Sequence, residues 1–133
     1  MRKLVEDLGL ESRVSFKGYV RDMLPAYQEA DGFVLTSNFE GQPNALMEAM
    51  AAGLPCISTD CPTGPAELIT PTSNGLLVPC DDVDELVSAM TFLLDNPLEA
   101  ARLGNEARAS IQSLTDPTVV ADRFLEYCHQ MGI

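Results

Sequence analysis

The sequence has no tryptophan, a single histidine, and only eight basic residues against twenty acidic ones. The resulting formal net charge of −12 argues against a nucleic-acid binder, because neutralising phosphates takes clustered Lys and Arg. The same balance sets the chain against anionic membrane surfaces. It leaves room for a phosphate-bearing small ligand, since a helix N-terminus supplies positive potential locally. No run approaches the ~18–20 apolar residues that a membrane-crossing helix needs. The opening Met1-Arg-Lys-Leu-Val-Glu-Asp7 turns acidic too soon for a signal peptide. Cysteine is sparse and poorly spaced for a metal: Cys56, Cys61, Cys80 and Cys128 form no C-x-x-C pair, and His129 adjoins Cys128 instead of standing at ligand spacing. Reduced, partly buried thiols in a cytoplasmic protein are the better reading.

What is present fits one small globular domain: 133 residues, 46% hydrophobic and 21% charged. Leu4, Val5 and Leu8 at helical spacing, closed by Gly9, predict a first helix. Val14 and Phe16 before Gly18 suggest a short strand, and residues 21–30 a short helix with Met23, Leu24 and Tyr27 on one face. Residues 32–36 read as a buried strand, 37–42 as a polar loop, and 43–52 as the clearest helix, with Pro43 in its first turn and Gly53 at its far end. A strand at 55–59, a turn at 60–65, a short helix at 66–69 and a strand at 75–78 follow. Helices are predicted over 83–95, 97–113 and 118–131. Short apolar strands alternating with helices imply an α/β domain with a parallel sheet flanked by helices. Such sheets bind ligands beyond the carboxyl ends of their strands. Loop 37–42 is such an end.

Glu40 lies on that loop and Glu48 about one and a half turns into the following helix. Ala45, Ala49 and Ala52 keep the helix slim, and Met47, Ala49 and Met50 give Glu48 apolar neighbours, among which a carboxylate needs a partner. On spacing alone the plainer reading is favoured, with Glu48 as a solvated helix residue and Glu40 as a helix-start anion. Gly41 lets backbone approach a ligand, and the amides of Asn44 and Ala45, in the first helical turn, lack intrahelical acceptors and can seat an anion. Thr63-Gly64-Pro65 with Glu67 and Asn74-Gly75 read more simply as turns.

The segment Ser37-Asn-Phe-Glu-Gly-Gln-Pro-Asn-Ala-Leu-Met-Glu-Ala-Met-Ala-Ala-Gly-Leu-Pro55 resembles the E-x7-E region of family 4 glycosyltransferases of the GT-B fold. The similarity continues through Ile57-Ser-Thr-Asp60, Gly64-Pro-Ala-Glu-Leu-Ile69, Asn74-Gly-Leu-Leu-Val-Pro79, Asp84-Glu-Leu86 and Arg102-Leu-Gly104, and back to Val14-Ser-Phe-Lys-Gly18. Motif number and order carry it, since E-x7-E alone is a weak signal. The resemblance implies a Rossmann-like parallel sheet belonging to the C-terminal domain of a GT-B enzyme. It also implies transfer of a sugar from a nucleotide donor, with retention at the anomeric carbon and without a metal or other cofactor. Glu40 matches the glutamate that meets the donor sugar near the reacting centre, and Glu48 the one that holds the ribose hydroxyls. Gly41, Gln42, Asn44 and Ala45 match the segment whose backbone meets sugar hydroxyls and phosphates. Position 43 is proline and has no amide to donate. The two carboxylates are expected to face one hollow.

The chain departs from that family in length. The resemblance implies a single truncated domain over 1–133, without the N-terminal domain that takes a glycan or lipid-linked acceptor and without the donor-phosphate clamp. Lys3, Arg13, Lys17 and Arg21 do not stand in the clamp's context. Implied in turn are cell-surface polysaccharide or glycan synthesis, a cytoplasmic setting at the inner face of the membrane for the whole enzyme, negligible activity of this chain alone, and self-association through an exposed sheet edge and apolar surface. The chief alternative is a non-catalytic nucleotide-sugar-binding or assembly module derived from such an enzyme. A sugar-nucleotide epimerase is a third reading, less suited to the Glu40–Asn44 loop.

Overall fold

Three short apolar runs pair into one parallel sheet, and the joining segments cross over it. The computed structural model describes residues 1–131, without the side chains of Asp122, Arg123, Phe124 and Tyr127. In chain order the elements are α1 (Arg2–Asp7), α2 (Leu24–Glu29), β1 (Phe33–Leu35), α3 (Asn44–Ala52), β2 (Cys56–Thr59), α4 (Pro65–Leu68), β3 (Leu76–Val78), α5 (Val83–Asp95), α6 (Pro97–Thr115) and α7 (Pro117–Met131). The sheet order is β1-β2-β3, all parallel, with Val34 opposite Ile57 and Ser58 opposite Leu77. Parallel neighbours need crossovers, and α3 and α4 supply them. The expected α/β architecture, a parallel sheet flanked by helices, is the one observed.

β2 lies between its two neighbours and is buried throughout. Its polar residues are paired: the Ser58 hydroxyl donates to the Thr59 carbonyl at 3.2 Å, and the Thr59 hydroxyl to the Ser37 carbonyl in the loop after β1. The core is built around α3. Leu46, Ala49 and Met50 form its buried face at helical spacing, and Leu103, Ala107 and Ile111 form that of α6. Gly53 ends α3 in the left-handed region at φ 86. There α6 comes down onto it so closely that a Cβ on Gly104 would lie 2.2 Å from the Gly53 carbonyl oxygen.

Four expectations change, the first at β1, expected to be buried but with Val34 37% exposed and Phe33 and Leu35 only half-buried. Residues 14–16 form no strand, and Val14 and Phe16 are both 39% exposed. An extended segment without a neighbour has nowhere to place its backbone hydrogen bonds, so β propensity alone does not make a strand. The first helix forms as α1 but buries nothing. α5 has the predicted bounds, with the Asp82 side chain accepting from the Glu85 amide at 2.9 Å. Of its predicted stripe, however, Val83, Val87, Met90 and Leu94 are exposed. Leu86, Ala89 and Leu93 are the half-buried ones, on a helix that packs against the sheet and α6. Met90 and Leu94 border an open apolar cavity of about 610 Å³, shared with Phe33, Val34, Leu54 and Pro55.

Candidate functional site

The loop after β1 is tied down by its neighbours. Ser37 donates its hydroxyl to Glu40 Oε1 at 2.6 Å, so the half-buried carboxylate is held over its own loop. The Thr63 hydroxyl donates to the Glu40 carbonyl. Thr63 itself has φ 65, a strained value for a β-branched residue. At Gly64, φ 83, a Cβ would meet Pro43 Cδ at 2.8 Å. The 63–65 turn, read from sequence as plain punctuation, therefore buttresses the loop. Asn74 has the structural role expected of it. It is 6% exposed, accepts from the Thr70 amide at 2.8 Å, and donates to the Leu68 carbonyl and the Ser110 hydroxyl at 3.0 Å each.

The start of α3 is less evenly available than the spacing suggests. The Asn44 amide is spent on the Gln42 carbonyl at 2.9 Å, and the buried Pro43 passes its carbonyl to the Met47 amide at 3.1 Å. No side chain caps the helix. The exposed Ala45 has no acceptor for its amide among the described residues, which leaves this N–H for an outside anion. Gly41 is exposed, with nothing within 4 Å of where a Cβ would sit, so packing does not demand glycine there. Gln42 is exposed too, its amide nitrogen 3.9 Å from Met47 Sδ.

Glu48 is exposed, and its partner is a residue that sequence reasoning assigned only to a helix face. The Tyr27 hydroxyl lies 3.1 Å from Glu48 Oε2 and 3.4 Å from the Ala45 carbonyl. Tyr27 is 6% exposed, and its ring meets Phe33 edge-on with centroids 6.1 Å apart. Burial, then the hydrogen bond and charge of Glu48, raise its pKa above the usual tyrosine value. Tyrosine on the buried face of a short helix was the available signal, but nothing in the spacing pairs residues 27 and 48. Glu48 and Tyr27 line a surface cavity of about 580 Å³ with residues 20–24, Ala51 and Ala52. Glu40 is not among its walls, so the two carboxylates expected to share one hollow are held by separate partners. Arg21, set aside from sequence, does border this cavity. Among the described residues no cluster of His, Cys, Asp and Glu could hold a metal ion, and no helix is long and apolar enough to cross a membrane.

Residues 1–96 match the family model described as glycosyl transferases group 1. The chain is 31% identical over 109 residues to a poly(ribitol-phosphate) alpha-N-acetylglucosaminyltransferase of Staphylococcus aureus, covering 82% of this chain and 22% of that protein. It is 35% identical over 97 residues to a lipopolysaccharide 1,6-galactosyltransferase of Salmonella typhimurium, covering 70% and 27%. Among solved structures, a Staphylococcus aureus TarM variant in complex with fondaparinux, alpha-GlcNAc-glycerol and UDP superposes with a TM-score of 0.85 at 28% identity, over 94% of this chain and 25% of the other. The chain thus spans about a quarter or less of the length of these proteins.

Proposed function

The chain belongs to the group 1 glycosyl transferases, and from that premise we propose that it carries the nucleotide-sugar side of a sugar transfer in cell-surface polysaccharide or glycan synthesis, with retention at the anomeric carbon. The observation that carries this reading is the unit of β1, its pinned loop and α3. A polar loop leaves the carboxyl end of a parallel strand and enters an uncapped helix start, with a glutamate on either side of it. The departing diphosphate takes the free Ala45 amide, with Gly41, Gln42 and Asn44 shaping the approach. Glu40 orients sugar hydroxyls beside the reacting centre, and Glu48 accepts from the ribose. Such a transfer needs stabilisation of a leaving diphosphate and an oxocarbenium-like carbon. Neither a metal nor the paired acid and nucleophile of glycosidases is required of these residues.

The whole enzyme's acceptor, a glycan or lipid-linked sugar, belongs on a further domain, at the cytoplasmic face of a membrane. For these 133 residues by themselves we expect donor binding without turnover. The test is to titrate the chain with nucleotide sugars while following its amide resonances, and to assay nucleoside diphosphate release with and without acceptors. Shifts concentrated at residues 40–48 and no release are expected. Shifts confined elsewhere, or none at all, overturn the donor-site reading, and acceptor-dependent release overturns the expected inactivity.

A further inference from the structure

An exposed glutamate on a helix samples several side-chain conformations, and a carboxylate that must meet a diol in one geometry gains from having one of them selected. Glu48 has a device for this. The ring of Tyr27 is fixed by burial and by Phe33, and its hydroxyl emerges at the α2–α3 contact, 3.1 Å from Glu48 Oε2. The hydroxyl has one proton to give. Its other acceptor, the Ala45 carbonyl, is farther away at 3.4 Å, so the carboxylate is the better placed of the two. Glu48 Oε1 has no protein partner among the described residues, and Glu48 lines the open cavity beside residues 20–24. Phenylalanine would fill the core as well as tyrosine, so packing alone does not account for the hydroxyl.

We propose that Tyr27 is a positioning residue of the nucleotide site, its hydroxyl holding one oxygen of Glu48 so that the other accepts from the ribose diol. This deepens the donor-site reading and rests on its assignment of Glu48 to the ribose. Burial is the main cause of the raised Tyr27 pKa, and the hydrogen bond and charge of Glu48 raise it further.

Two measurements on the intact chain test it. The first follows the ring carbons of labelled tyrosine through an alkaline titration. Glu48→Gln is expected to lower the Tyr27 titration, and an unmoved titration overturns the contact and the proposal with it. The second measures binding of UDP, ADP and GDP and of their 2′,3′-dideoxy counterparts to the chain, to Tyr27→Phe, to Glu48→Gln and to the double variant. Tyr27→Phe is expected to cut the preference for the ribose form about tenfold, the order expected for a hydrogen bond to a charged group. Dideoxy binding should stay unchanged, and Glu48→Gln should leave nothing further for Tyr27→Phe to remove. Equal weakening of both nucleotide forms by Tyr27→Phe shows a packing role and overturns the proposal. So does an unchanged preference in Tyr27→Phe where Glu48→Gln abolishes it, although the Glu48 assignment then survives. Failure of Glu48→Gln to change the preference, or no binding of any ribonucleotide, overturns the Glu48 assignment itself and this inference with it.

Discussion

Leu46 and Leu94 both sit on amphipathic helices joined to the same three-stranded sheet, yet the first is 0% exposed and the second 76%. Around Leu46 the chain is layered: β2 on one side, α6 on the other, and a backbone-to-backbone contact where Gly104 meets Gly53. Around Leu94 there is an open apolar cavity beside β1, an outer strand of the sheet, and high exposure recurs at Leu4 on α1 and at Leu8 just past its end. Helical spacing says which residues share a face. It does not say whether that face meets another layer.

That contrast can be broken by mutation. The largest effect belongs to Gly104→Ala, whose new methyl group collides with backbone and not with a side chain that could turn away. A loss above about 3 kcal/mol is expected, past the usual cost of overpacking, and denaturant unfolding would measure it. A variant of unchanged midpoint would mean that α6 is free to lift off α3. Next comes the leucine pair itself. Leu46→Ala should cost about 3 kcal/mol and Leu94→Ala within about 0.5 kcal/mol. Similar losses at the two sites would show that something covers Leu94 in solution.

The last effect is graded with pH and appears with alkali. Burial pushes the Cys56 thiol up to about 12 from 9.0, and Tyr27 is raised as well. The unfolded chain releases both protons at lower pH than the folded one does. The associated stability is therefore complete below pH 9 and declines as pH climbs through the folded values. Thermal midpoints measured from pH 8 to 11 should fall, and fall less steeply in Cys56→Ala. Parallel curves would show that the thiol contributes nothing to the decline.

Much of this architecture was legible because it is local. The strand ends, the bounds of α5 and the glycine closing α3 follow from apolar runs, breaker residues and caps, all set within a few positions of chain. The loop of Glu40 could likewise be placed at a strand's carboxyl end by order alone. Residues 14–16 misled because a strand is a relation between two segments, and their own apolar content says nothing of a neighbour. Helix starts leave their first N–H groups unpaired, which makes the Asn44 amide available by spacing, but here Gln42 turns its carbonyl back onto it. The buttress of Thr63 and Gly64 on the Glu40 loop joins residues more than twenty apart, as does the hydroxyl of Tyr27 on Glu48.

The order of amino acids on its own determined the α/β class, the family motifs and the place of the two glutamates on a loop and a helix, since each depends on periodicity or spacing along one segment. Only the packed structure decided which amide at the α3 start stays free, which side chain holds each carboxylate and which apolar faces are covered. The Ser37 bond to Glu40 and the turn of Gln42 onto Asn44 are local, set by loop dihedral angles that periodicity does not reveal. The hydroxyl of Tyr27 on Glu48 and the covered faces depend on distances between segments remote in sequence, which exist only once the sheet and its crossovers have formed.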